Sequence, residues 1–170
     1  MKILITYYSL SGNTEKIATH MKNALENYEV ELIKIENLDS SLIKDYDLVL
    51  LGSGVYAGSV HKSVKKLIKN IEVFPPKFAL FDTHSSEDAA HHKDAFKKIK
   101  KTILGNNCEI VGEFDCLGEN KGISEQKQLE QIKNLPEDKQ KEAKKQLKRI
   151  KGHPNEEDLK KAMEFVRSLI

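Results

Sequence analysis

The sequence predicts an α/β fold of the three-layer, doubly wound type, with a five-stranded parallel sheet in the order 2-1-3-4-5. Three observations carry that expectation. Apolar runs of strand length alternate with segments whose apolar residues recur at helical spacing. The intervening helices are long enough to act as right-handed crossovers between parallel strands. At 170 residues the chain has the size of one domain with a sizeable core, so residues 1–170 are read as a unit.

The elements follow in order. Residues 2–8 (KILITYY) form an apolar run closed by turn residues, as expected of a strand covered on both faces. Residues 13–27 repeat apolar side chains at Ile17, Met21, Ala24 and Leu25, a helical pattern. Residues 29–35 (EVELIKI) alternate apolar and charged, which suits an edge strand with one wet face. A central strand is expected over 47–54 (DLVLLGSG), an amphipathic helix over 60–71, a fourth strand over 77–83 (KFALFDT), a helix over 87–104 and a fifth strand over 108–116 (CEIVGEFDC). A closing helix is predicted over 155–169, with Asn155 as its N-cap ahead of Glu156, Glu157 and Asp158.

Between the fifth strand and the closing helix lies a charged insert, about 118–153, read as two helices, 124–134 and 136–150, broken at Leu135–Pro136. Their apolar positions are sparse, so each can bury only a narrow stripe. From Ser124 to Lys151 nine Lys/Arg stand against five Asp/Glu, while the whole chain carries a formal charge of +2. The rest is therefore slightly acidic. A near-neutral body with a basic insert is not the profile of a nucleic-acid binder, whose basic stripe follows a groove-reading element.

Hydrophobic residues at 39% and charged residues at 32% describe a soluble, globular chain. No apolar run approaches the ~18 residues of a membrane span. A strand beginning at Lys2 leaves no place for a signal peptide, so a cytoplasmic location is expected. Cys108 and Cys116 fall at opposite ends of one extended strand, too far apart to bridge, and are read as buried thiols.

In a doubly wound sheet ligands sit beyond the carboxyl ends of the strands, at the switch between strands 1 and 3. That geometry selects three loops, 9–14, 54–60 and 83–88. The first reads Ser9-Leu10-Ser11-Gly12-Asn13-Thr14 and has the chemistry of an anion cradle. A helix N-terminus leaves backbone N–H groups unpaired and adds positive potential. Ser9, Ser11, Thr14 and Asn13 add side-chain donors, and Gly12 permits close backbone approach. The loop holds no Lys or Arg, so it is not a Walker loop, and it lacks the three glycines of the dinucleotide fingerprint. Neutral donors of this kind suit a single phosphate.

With these residues in view, "YSLSGNTEKIA" resembles the phosphate-binding segment of flavodoxins and flavodoxin-like proteins, S/T-x-T/S-G-N-T followed by a helix. "GSGVYAGSVHKSVKKLI" (52–68) resembles their second loop. "GEFDCLG" (112–118) and "KGHPNEEDLKKAMEFV" (151–166) are similar to the fifth strand and closing helix of the family. The resemblance spans nearly the whole chain apart from the insert. It implies a flavodoxin-like fold and FMN as cofactor. By that resemblance residues 9–14 would bind the FMN phosphate. Val55, Tyr56, Ala57 and Gly58 would lie along one side of the isoalloxazine, and Thr83, His84, Ser85 and Ser86 along the other. Gly58 would let its peptide turn toward the flavin N5, and Tyr56 could stack on the ring or its edge.

The sequence departs from that pattern in three ways. The third loop, "DTHSSED", lacks the usual stacking aromatic, and His84 is its only ring. Gly54 stands where Pro is common, which implies a more flexible second loop. The rim is basic, with Lys62, Lys65, Lys66 and Lys69 on one helix and Lys93, Lys97, Lys98, Lys100 and Lys101 on the next. A basic rim favours either an anionic substrate or an acidic partner, such as a redox partner protein with an acidic docking face. His84, His91, His92, Asp82 and Asp88 do not suggest a metal site, because adjacent histidines on a helix point about 100° apart. His61 reads as a cap of the second helix.

Two activities fit the resemblance: a one-electron carrier working between redox partners, which is favoured, and an FMN-dependent oxidoreductase of the quinone reductase or protoporphyrinogen oxidase type. A cofactor-free receiver domain is disfavoured, because the first strand ends in Tyr7, Tyr8 and Ser9 rather than an acidic cluster.

Overall fold

The computed structural model describes residues 1–170. Its sheet is built from β1 (Lys2–Tyr8), β2 (Glu29–Lys34), β3 (Leu48–Tyr56), β4 (Ser59–Val60), β5 (Lys77–His84) and β6 (Glu109–Leu117). The five long strands are all parallel and run in the spatial order β2-β1-β3-β5-β6. That is the 2-1-3-4-5 order expected for five strands. The sixth, β4, is a two-residue strand that pairs antiparallel with the end of β3 (Val55 with Val60, Tyr56 with Ser59).

The reason for the parallel sheet lies in the strands themselves. β3 and β5 are buried almost throughout, so both of their faces must be covered. One face carries α1 (Asn13–Asn23) and α6 (Glu156–Ser168), which bury Ile17, Met21, Leu159 and Val166 against Ile3, Ile5, Leu50 and Phe81. The other carries α2 (Lys62–Asn70) and α3 (Lys97–Gly105), which bury Val64, Leu67, Ile99 and Ile103 against Leu4, Val49, Leu51 and Leu80. Gly52 has no room for a side chain, because a Cβ there would overlap the Phe81 ring of the neighbouring strand.

The last helix starts as its sequence dictates. Asn155 Oδ1 accepts from the backbone N–H groups of Glu157 and Asp158, and the Asp158 carboxylate accepts from the Asn155 N–H at 2.8 Å, a complete capping box.

Three boundaries differ from expectation, each for a local reason. The loop 54–60 is not a flexible connection but the β3–β4 hairpin. Its turn, Ala57-Gly58, has φ of 48° and 74°, the left-handed pair of a tight hairpin turn. The helix expected over 87–104 begins only at Lys97. The Asp88 carboxylate accepts from the Ala90 N–H and winds Ala89–His91 into a 3₁₀ turn, and the backbone opens at His92. Ala95 and Phe96 then drop into the core ahead of α3. The first helix ends at Asn23 rather than 27 and gives way to turns.

The insert forms α4 (Glu125–Lys133) and α5 (Glu137–Ile150), with Leu135 and Pro136 between them. It buries Ile132 and Ile150 and little else, as its sparse apolar stripe requires. Cys108 and Cys116 are free and buried.

Candidate cofactor site

β1, β3 and β5 deliver their carboxyl ends to the same edge of the sheet, and the three loops selected from the sequence converge there. Gly12 sits at φ 84° and starts α1 as its N-cap, and no side chain caps the helix. The backbone N–H groups of the first turn, with the dipole behind them, are thus left for an outside acceptor. Ser9 Oγ is buried nearby and has no hydrogen-bond partner, an arrangement that costs free energy unless an acceptor is supplied. Thr14, fully buried, shares a 2.9 Å hydroxyl–hydroxyl bond with Thr83 from the end of β5. If Thr83 donates in that pair, the Thr14 proton is free for an anion. These donors fit a phosphate monoester.

A second tie joins the first loop to the hairpin. Tyr56 Oη accepts from the Leu10 N–H at 3.3 Å. The Tyr56 ring packs edge-on against Tyr8 and His61, whose own rings stack at 3.6 Å. Gly54 makes the fold-back possible, since a Cβ there would stand 2.8 Å from Tyr56 Oη. Glycine at 54 therefore serves the aromatic cluster, not flexibility. His61 caps α2 as expected: its Nδ1 accepts from the Ser63 N–H at 3.2 Å. Burial and the neighbouring Lys62 hold its pKa below the ordinary histidine value.

Two adjoining cavities occupy the mouth of the sheet. One, about 260 Å³, is bordered by Ser11 and Asn13 of the first loop, Gly54–Ala57 of the second and Thr83–Ser85 of the third. The other, about 500 Å³, is bordered by Val55, Ala57 and Gly58 across from His84, Ser85 and Ser86. Val55, Ala57, His84 and Ser85 border both. Of the fourteen residues singled out in the sequence, Ser9, Leu10, Gly12 and Thr14 do not line these cavities; Leu10 points its side chain into solvent.

A fourth segment, Gly118–Asn120 after β6, borders the site beside the three loops selected from the sequence. Asn13 Nδ2 donates to the Glu119 carbonyl at 2.8 Å, and Gly118 leaves room for it, because a Cβ would lie 2.6 Å from Nδ2. The insert that follows docks against the third loop: Gln146 Nε2 donates to the Ser85 carbonyl at 2.7 Å, and Arg149 pairs with Glu87.

His84 is held from both sides. Its Nδ1 donates to the Ser86 carbonyl at 2.6 Å, and its Nε2 lies 3.0 Å from the Asp115 carboxylate. Burial pulls the pKa of His84 down, but the Asp115 hydrogen bond and the charges of Asp82 and Asp115 outweigh it, and the net direction is up. The bond from His84 correspondingly lowers Asp115. Burial pushes Asp82 up to about 7.

Comparison with known proteins agrees with this geometry. The flavodoxin domain family matches residues 4–167. The chain belongs to the flavodoxin family. It is 33% identical to the uncharacterised protein MJ0298 of Methanocaldococcus jannaschii, over 100% of this chain and 99% of that one. It is 30% identical to the flavodoxin-like domain-containing protein BilS of Clostridioides difficile, over 100% of this chain and 97% of that one. Among solved structures, flavodoxin 1 of Bacillus cereus superposes with a TM-score of 0.68 at 17% identity, covering 99% of this chain and 97% of that one. A flavoprotein of Lactobacillus acidophilus, solved in complex with FMN, gives a TM-score of 0.54 at 21% identity, covering 67% and 92%. No helix of this flavodoxin-family chain is long and apolar enough to cross a membrane.

Proposed function

We propose that this flavodoxin-family chain binds FMN and carries electrons between redox partners in the cytoplasm. The observation that carries the reading is the convergence of three strand-end loops beside an uncapped helix N-terminus, with the partnerless Ser9 hydroxyl among them. The residues divide the work. The backbone of residues 9–14, with the hydroxyls of Ser9, Ser11 and Thr14, holds the phosphate. Val55–Gly58 and Thr83–Ser86 form the two walls for the isoalloxazine. FMN, when bound, supplies one- and two-electron chemistry.

His84, the only ring of the third loop, stands in that loop's wall, where its two acceptors, Ser86 O and Asp115, fix it. The exposed lysines of α2 and α3, with the basic insert docked on Ser85 and Glu87, give the cofactor edge a positive surround. An acidic docking face on the partner protein suits that surround and would make association salt-dependent.

Comparison of FMN with riboflavin tests the cradle directly. Flavin fluorescence titrated with the purified chain should give much tighter binding for FMN, because riboflavin lacks the phosphate. Equal affinities would refute the assignment of residues 9–14.

A further inference from the structure

Behind the cofactor walls lies a polar cluster of which the electron-transfer reading uses only His84. Asp82 and His84 alternate along β5, so both point to the α2/α3 face. Asp115 of β6 stands directly opposite Asp82 in the parallel register. His92 reaches in from the opened backbone after the 3₁₀ turn and lies flat on His84, with ring centroids 3.6 Å apart. The adjacent His91 turns instead to Ser86, its Nδ1 2.9 Å from Ser86 Oγ. The break in the predicted helix is what separates the two histidines and brings one of them to β5.

Ligating atoms of Asp82, His84 and His92 all lie within 4.8 Å of one another. Asp82 is 8% exposed, its Oδ1 has no hydrogen-bond partner, and it borders a cavity of about 330 Å³ along with His92 and Asp115. A carboxylate oxygen buried in this way is costly without a cation or a donor.

We propose that Asp82, His84 and His92, with Asp115 as a fourth donor, form a binding site for a divalent transition-metal ion of the zinc class. The donor set of two imidazoles and two carboxylates suits that class better than calcium or magnesium, which prefer oxygen throughout. His84 is already oriented as a ligand: Nδ1–H donates to a backbone carbonyl, which fixes the tautomer and leaves Nε2 for a metal. Nε2 and the Asp115 oxygen are 3.0 Å apart. Donors 2.0–2.1 Å from a tetrahedral ion stand roughly 3.3 Å from each other, so the pair needs to part only slightly.

Two acceptors that close require a positive charge between them. A divalent ion between them supplies that charge. His92 must tilt out of its stack, because parallel rings cannot aim both lone pairs at one ion. No hydrogen bond holds its ring nitrogens in place, and it sits half-exposed on a turn. The exposed side of Asp115 gives the ion its way in. The ion would pin the segment 84–92, one wall of the cofactor cavity, to the end of β6. The site stands whether or not the flavin reading does.

The test is zinc titration of the untagged full chain, FMN-loaded and FMN-free, after stripping with a chelator. Calorimetry should show one zinc per chain, and Co²⁺ should give the visible bands of a tetrahedral N/O site. His92→Ala and Asp82→Asn should each weaken zinc by at least about 10-fold, while His91→Ala should leave stoichiometry and affinity as they are. His92 is only half-buried and sits on a turn, so its variant keeps the assay valid if Asp82→Asn folds poorly. Absence of stoichiometric binding, or binding that survives both His92→Ala and Asp82→Asn, would overturn the site.

Discussion

The Thr14–Thr83 hydroxyl pair allows packing and phosphate binding to be separated in one experiment. Both residues are buried, at 1% and 5% exposure, and each hydroxyl has the other at 2.9 Å. Thr14→Val removes one partner at nearly constant volume and leaves the Thr83 hydroxyl unsatisfied. The expected loss of stability is about 1–3 kcal/mol, the desolvation cost of a buried orphan. Adding Thr83→Val removes the orphan, and the double variant should recover most of that loss. FMN affinity should behave differently. If Thr14 donates to the phosphate, its loss removes a hydrogen bond to a charged group, about 1.5–3 kcal/mol or roughly 10- to 150-fold in Kd, and the double variant cannot restore it. Urea denaturation of the FMN-free chain reads the first quantity and fluorescence titration the second. Recovery of FMN affinity in the double variant, in step with stability, would mean that the Thr14 hydroxyl does not serve the phosphate.

Further outcomes follow from particular positions. Gly118→Ala places a Cβ 2.6 Å from Asn13 Nδ2; it should displace the Asn13–Glu119 bond and weaken FMN in the same titration, with a stability cost of about 1 kcal/mol. Ala57→Gly should stabilise the hairpin by up to about 1 kcal/mol, because Ala57 sits at φ 48°, where only glycine is free of strain; a lower urea midpoint would contradict this. His61 caps α2 through an accepting Nδ1, and burial holds its folded pKa below that of the unfolded chain. Its contribution is therefore present above about pH 6.5 and is lost as the pH falls below that value, where the unfolded chain takes up a proton that the cap refuses. A His61→Asn variant, which keeps an acceptor without titrating, should lose less stability than the wild type between pH 7.5 and 5.5.

Much of this architecture could be read from residues. The uninterrupted apolar runs at 3–5 and 48–51 demand cover on both faces, and the Asn155/Asp158 spacing announces its own cap. The hairpin could not be seen because its first turn residue is Ala57, whose left-handed backbone leaves no compositional signal. The early end of the helix at 87–104 depends on distant partners: Phe96 enters a core formed by β5 and α2, and His92 is claimed by His84. Gly118–Asn120 touches the site through a backbone carbonyl, which any residue could supply; only the glycine, sited where β6 exits, hinted at a close approach. The placement of the insert against Ser85 and Glu87 rests on two side-chain contacts that no periodicity encodes.

On the proposed reading this chain holds FMN and moves electrons one at a time. Stepwise anaerobic photoreduction of the FMN-loaded protein, followed by absorption, tests it most directly. A blue, long-wavelength one-electron-reduced flavin should accumulate before full reduction. Direct conversion to the two-electron-reduced flavin, or failure of the chain to retain FMN at all, would contradict it.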